Sequence, residues 1–249
     1  MKLTTLTRGL SIILMLSSST FASEHTNQSH WSYTGEEAPA NWGSLSPEFQ
    51  TCTSGVNQSP IDLKSFIDSN LTKIPFAYNT TSTEILNNGH TVQVNIAKGS
   101  IIKVDSIEFE LKQFHFHTPS ENNINGKSFP LEAHFVHASK DGKLAVVALM
   151  FKEGKENKIL NQFWNKMPMK SGDKSKLIVE KLETLLPKNK DYYRFNGSLT
   201  TPPCTEGVRW IVLKEATTLS KAQIEKFAKV MGSPNNRPIQ TTNARMVIE

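Results

Sequence analysis

The chain has 249 residues, 37% hydrophobic and 20% charged, with 28 Lys and Arg against 23 Asp and Glu and only two cysteines. That balance excludes a disordered chain, a collagen-like fibre, a multi-span membrane protein and a disulfide-stapled miniprotein; it suits one globular domain with a sizeable core. A formal charge of +5, without Arg and Lys clusters interleaved with aromatics, gives no nucleic-acid signature.

The first 22 residues read as an export signal. Lys2 and Arg8 precede the apolar run Leu10 to Leu16, and small residues then lead to Ala22. The run falls well short of the roughly 20 residues a bilayer span needs. A cut after Ala22 removes two positive charges and leaves residues 23–249 as the mature domain. No lipid-attachment cysteine follows the cut and no anchoring tail is present. The periplasm is therefore the expected destination, with release to the medium as the alternative. An oxidising compartment permits one bridge between Cys52 and Cys204; two free buried thiols are the other reading.

Residues 23–60 are rich in Ser, Thr, Asn, Pro and Trp without periodicity and read as an irregular arm over a core. From about residue 83 the pattern changes. Segments 91–97, 100–105, 107–117, 131–138, 144–151 and 207–214 carry β-branched and aromatic residues in strand-like patterns. Lys98-Gly99 and Asp141-Gly142-Lys143 read as hairpin links. Three helices are expected. Residues 155–166 place Ile159, Leu160, Phe163 and Trp164 at helical spacing, and residues 174–186 do the same with Leu177, Ile178, Leu182, Leu185 and Leu186. The third starts at Ser220, places Ile224, Phe227, Ala228 and Met231 on one face, and stops at Gly232. The fold class is mainly β (α+β): a single domain around a large, predominantly antiparallel sheet with peripheral helices.

Four of the seven histidines fall between positions 115 and 137. On a strand, residues two apart face the same side. Gln113, His115 and His117 therefore project together, with Phe114 and Phe116 opposite. On the next strand Glu132, His134 and Val136 share a face and His137 points away. If the strands are neighbours, three imidazoles converge. Three His ligands leave a tetrahedral metal one open position, the pattern of a catalytic zinc site, and Gln113 and Glu132 are placed to accept the second ring N–H groups. A competing pattern is His115-Phe116-His117 followed by Glu121, similar to the H-x-H-x3-E of cupins. There the flanking glycines are displaced: Phe109 stands where the first would be.

NQSPIDL (57–63), NNGHTVQV (87–94), QFHFHTPSE (113–121), LEAHFVH (131–137) and GSLTTPPCTEGVRWIVL (197–213), in this order along the chain, resemble the motifs of α-class carbonic anhydrases of the secreted bacterial kind. The resemblance runs from about His30 to Arg245. It implies that family's twisted sheet, one Zn2+ per chain on His115, His117 and His134, and hydration of carbon dioxide to bicarbonate by zinc-bound hydroxide. Glu121 then accepts a hydrogen bond from Thr200, whose hydroxyl orients the nucleophile. Val136, Val146, Leu199, Val208 and Trp210, with Thr201, match the substrate pocket. His90 matches the proton shuttle, and Tyr33 and Asn88 the polar positions along its path. Cys52 and Cys204 match a disulfide, and Ser59–Pro60 and Pro202–Pro203 match cis peptides. Sulfonamides and anions are the implied inhibitors, with carbon dioxide, bicarbonate and water as substrates. No nucleic acid or membrane anchor is implied, and both monomers and homodimers occur. Thr118 departs from the Trp that many animal relatives carry after the second ligand. A non-catalytic binding module on the same fold is the reading from another class; the retained ligand set argues against it.

Overall fold

The computed structural model describes residues 30–249. The signal segment proposed for residues 1–22 lies outside the described residues, as does His25. Four short helical turns occupy the arm. Two of them are α1 (Trp42–Leu45) and α2 (Thr51–Ser54). The strands follow in chain order: β1 (Asp62–Leu63), β2 (Phe76–Ala77), β3 (Ser82–Asn87), β4 (Val92–Ile96), β5 (Ile101–Val104), β6 (Ile107–His117), β7 (Asn123–Ile124), β8 (Leu131–Ala138) and β9 (Leu144–Glu153). Helix α3 (Lys158–Trp164) leads to β10 (Lys174–Lys176), β11 (Tyr192–Ser198), β12 (Glu206–Leu213), β13 (Thr217–Leu219) and finally helix α4 (Lys221–Met231).

Eleven of these strands form one sheet, ordered β10-β3-β4-β6-β8-β9-β12-β11, with β2–β5 attached at β6 and β13 at β9. Its pairings are antiparallel except where β12 and β13 run parallel to β9. β1 and β7 form a separate parallel pair. The two sheet faces carry different cores. On one face Phe114, Phe116, Phe135, Val147 and Leu149 pack with Leu160, Phe163, Trp164 and Phe227 of the helices. On the other, Val146, Ala148, Met150, Val208, Trp210 and Val212 pack with Ile61, Leu63 and Phe195. Strand parity assigns the residues to these faces, because consecutive side chains must point in opposite directions.

Two expectations fail. The helix read over 174–186 is absent. Lys174–Lys176 pairs with β3, and Leu177 and Val179 are buried while the intervening Ile178 is 60% exposed. The backbone of this stretch is engaged by β3 instead: Leu177 N–H donates to Thr83, Ser82 N–H to Val179, and Ser82 Oγ to the Leu177 carbonyl. Only a 3-10 turn, Leu182–Leu185, remains. Tertiary pairing overrides the local spacing. Lys98-Gly99 is also not a hairpin. β4 and β5 both lie along the same edge of β6, opposite Gln113 to His115 and Ile107 to Glu110 respectively, so the link is a corner. The two-residue turn lies one strand later, at Asp105 and Ser106, both with positive φ, as a hairpin of that length requires.

The other elements form as expected. Asp141-Gly142-Lys143 joins the antiparallel pair β8 and β9. α3 is shorter than the pattern, starting after Asn157, whose side chain accepts from Ile159 and Leu160 N–H. α4 begins with a capping box between Ser220 and Gln223 and ends at Gly232 with φ 73°. Cys52 and Cys204 are joined in a disulfide. Cis peptides occur at Ser59–Pro60 and Pro202–Pro203, and also at Thr118–Pro119.

Candidate metal centre

The register of β6 against β8 sets His115 directly opposite His134, and His117 opposite Glu132. The pairing slips between Leu111 and Gln113, so the alternation that aims the site begins afresh at Gln113. One nitrogen each from His115, His117 and His134 lies within 4.8 Å of the other two.

Each ring is oriented by a different acceptor. His115 Nδ1 meets Gln113 Oε1 at 2.9 Å, and His117 Nδ1 meets the carbonyl of Asn235 at 2.7 Å. His134 Nε2 lies 2.9 Å from Glu132 Oε1, bent away from linear hydrogen-bond geometry. These contacts leave Nε2 of His115, Nε2 of His117 and Nδ1 of His134 free to share a ligand. His117 Nε2 and the neighbouring Glu121 Oε2 are buried without a hydrogen-bond partner among the described residues, 3.5 Å apart. Burial, ahead of the neighbouring charges, lowers the pKa of all three histidines below 6.5. They are therefore neutral at neutral pH, the form that binds a metal. The donor set and the orphaned nitrogen fit a small cation with a preference for imidazole.

Two carboxylates sit beneath the rings. Glu132 accepts from the backbone N–H of Glu121 and Asn122 at 2.7 and 2.8 Å and from Asn122 Nδ2 at 2.8 Å. Burial raises its pKa to about 6 against those bonds. Glu121 Oε1 accepts from Arg237 N–H at 2.8 Å; burial raises its pKa to about 8, opposed by that bond and by the Thr200 side chain. A cation at the histidines would pull both values down.

Val136, Val146, Leu199, Val208 and Trp210 belong to one apolar cluster, and the Trp210 ring stands 4.9 Å from that of His134. A cavity of about 130 Å³ is lined by His115, His117, Tyr33, Asn88, His90 and Thr201, among others. It borders an outer hollow of about 780 Å³ that shares Trp31, Asn88 and His90 and adds His30 and Pro202. His90 thus stands between the two spaces. Its ring stacks on Trp31, centroids 3.7 Å apart and 9° from parallel. Burial, then His30, lowers its pKa. Asn88 Oδ1 accepts from the N–H of His90 and Thr91, which fixes the turn presenting His90. Tyr33, half-buried, borders this space, and burial raises its pKa well above 10. His137 faces the opposite layer, where its Nε2 meets Tyr78 Oη at 2.8 Å.

Sequence reasoning missed Asn235 and Arg237. Both lie in the loop after α4, more than 110 positions from the groups they touch, with no periodicity to mark them.

The site is thus a cluster of three histidines on facing positions of β6 and β8, placed to hold a metal ion and bordered on one side by apolar residues. Residues 37–249 match the family model described as eukaryotic-type carbonic anhydrase. A carbonic anhydrase of Neisseria gonorrhoeae is 46% identical over 246 residues, covering 98% of each chain. The α-carbonic anhydrase of Thermovibrio ammonificans, solved with the inhibitor sulfanilamide, superposes with a TM-score of 0.87 at 50% identity, over 89% of this chain and 99% of that one. Dioscorin dioA3 of Dioscorea japonica is 37% identical over 84% of this chain and 81% of its own. The chain belongs to the α-carbonic anhydrase family, whose enzymes hydrate carbon dioxide, and the cupin-like reading of His115, His117 and Glu121 falls away.

Proposed function

We propose that this protein is an exported zinc enzyme that interconverts carbon dioxide and bicarbonate, with His90 carrying the proton. The observation that supports it most is the histidine cluster. Each ring has one nitrogen within 3 Å of an oxygen of Gln113, Asn235 or Glu132, and one nitrogen of each ring lies within 4.8 Å of those of the other two. Three neutral imidazoles with room for a fourth group suit tetrahedral zinc. Zinc bound there supplies the Lewis acidity that makes water nucleophilic near pH 7.

The chain's own residues do the rest. Val136, Val146, Leu199, Val208 and Trp210 present an apolar wall against which carbon dioxide is held without strong hydrogen bonds. Thr200 donates its hydroxyl hydrogen to Glu121, so its oxygen is left as an acceptor that orients the attacking water; Thr201 lines the same space. The product proton passes along the cavity bordered by Tyr33 and Asn88 to His90. Its lowered pKa keeps the ring neutral and able to accept a proton at pH 7. Export through residues 1–22 is consistent with the Cys52–Cys204 bridge, which belongs to an oxidising compartment. The sulfanilamide complex of the Thermovibrio relative supports sulfonamides as inhibitors here.

Stopped-flow carbon dioxide hydration with metal analysis of the purified protein tests this. We expect stoichiometric zinc and hydration far above buffer, with His134→Ala losing both. Substoichiometric zinc together with no hydration above buffer would refute the reading, and full activity in His134→Ala would refute the ligand set.

A further inference from the structure

Arg237 is a buried cation that none of the steps above uses. It is 2% exposed, yet its three side-chain hydrogen bonds, each 2.8 Å, go to uncharged oxygens: the carbonyls of Cys52 and Ser59 and the Gln58 side-chain oxygen. Its Nε has no hydrogen-bond partner among the described residues, and its guanidinium lies 5.7 Å from the Trp42 ring centroid. Burying a guanidinium on neutral acceptors is costly, and apolar residues of similar volume often serve stability equally well. The placement therefore calls for a reason beyond filling space.

Three routes lead from this residue to the proposed nucleophile-orienting pair. Its backbone N–H donates directly to Glu121 Oε1 at 2.8 Å. Gln58, held by the guanidinium, donates from Nε2 to the carbonyl of Cys204 at 3.1 Å, four residues beyond Thr200. Ser59, held through its carbonyl, exchanges two bonds with Ser198, two residues before Thr200: Ser59 N–H to Ser198 Oγ at 2.9 Å and Ser198 N–H to Ser59 Oγ at 3.1 Å. The approach is tight, since a Cβ on Gly197 would collide with Ser59 Oγ. One residue therefore grips both flanks of Thr200 with its side chain and Glu121 with its main chain.

We propose that Arg237 is the positioning residue that sets the Thr200 hydroxyl against Glu121. The proposal rests on the reading that Thr200 and Glu121 act together on the attacking water. The test is a double-mutant cycle of Arg237→Met and Thr200→Ala, with Arg237→Lys alongside, each at matched zinc content. Arg237→Met should lower kcat/KM for carbon dioxide hydration about tenfold, yet cost less than about twofold once Thr200 is already Ala, because both changes break one chain of contacts. Arg237→Lys should recover only part of the loss, since it keeps the charge but not the fork. Hydrogen exchange at the residue 237 amide in the metal-free protein gives a readout independent of activity: in Arg237→Met it should accelerate about tenfold while the β8 amides stay protected.

Equal tenfold losses in both backgrounds, or kcat/KM and amide protection both near wild type in Arg237→Met, would overturn the proposal. If Arg237→Met does not fold, Gln58→Ala cuts one route alone. It should show a smaller loss that again vanishes beside Thr200→Ala, and additivity would overturn the role. Thr200→Ala with unchanged kcat/KM would instead sink the parent reading of Thr200 itself.

Discussion

At the scale of single residues, the proposed proton carrier His90 is set at the border of the proposed site of chemistry. His90 lies on a turn held by Asn88, stacked on Trp31, and borders both the inner cavity and the outer hollow. Its ring neighbours among the described residues are Trp31 and His30, outside the apolar wall, so its removal should leave the attack on carbon dioxide intact. His90→Ala is expected to lower kcat about tenfold to a hundredfold while kcat/KM changes less than about twofold. Added imidazole buffer should restore kcat, because a diffusible base can occupy the vacated path. Stopped-flow hydration at low and high imidazole checks this; equal losses in kcat and kcat/KM would remove His90 from the proton route.

At the scale of elements, β6 and β8 were the most legible part of the chain. Their apolar–polar alternation is strict from Gln113 to His117 and from Leu131 to Phe135, so a period of two suffices to put three histidines on one face and His137 on the other. The apolar spacing of 174–186 misled for a physical reason: an edge strand's identity depends on the partner it meets, here β3, and no local pattern encodes that partner. Asn235 and Arg237 were illegible on the same ground, since a loop residue that orients a distant ring carries no periodic mark. The Cys52–Cys204 pairing and the roles proposed for His90, Thr200 and Glu121 came through family motifs rather than spacing. The opposite face of β8 yields a prediction of its own. His137 is buried against Tyr78, and burial depresses its pKa from 6.5 to about 3. The unfolded chain takes up this proton as pH falls below about 6.5, whereas the folded chain resists until about 3. The stability of the neutral form is thus present above pH 6.5 and lost on the way down to 3, by an amount on the order of 5 kcal/mol. His137→Gln, which cannot titrate, should flatten the decline over that window, and urea unfolding of both proteins at stepped pH measures it. Parallel pH profiles would show that other groups govern acid lability.

At the scale of the whole molecule, the arm is the part least supported by the sheet. Its apolar residues Trp42, Phe49 and Cys52 form a third cluster with Cys204 of the loop after Thr200, with Trp31 and Tyr33 at its edge, separate from the two that cover the sheet faces. That cluster brings Trp31 to His90 and Tyr33 to the inner cavity, so the site depends on an element that contributes no ladder to the sheet. The disulfide ties the arm to the loop after Thr200, across a sequence separation of 152. Closing so long a loop restricts the unfolded chain, worth roughly 5 kcal/mol in the entropic treatment and commonly about 2–5 kcal/mol when a native bridge is removed. A Cys52→Ser, Cys204→Ser double variant should therefore unfold at markedly lower urea than the oxidised protein, with the arm releasing first. Arm amides such as that of Phe49 should exchange near the solvent-exposed rate while β8 and β9 amides keep their protection. If instead the arm stays protected to the global transition, the Arg237 bonds to Cys52, Gln58 and Ser59 hold it without the bridge. The stability loss would then fall evenly on all amides, as expected when a cross-link acts only on the unfolded chain.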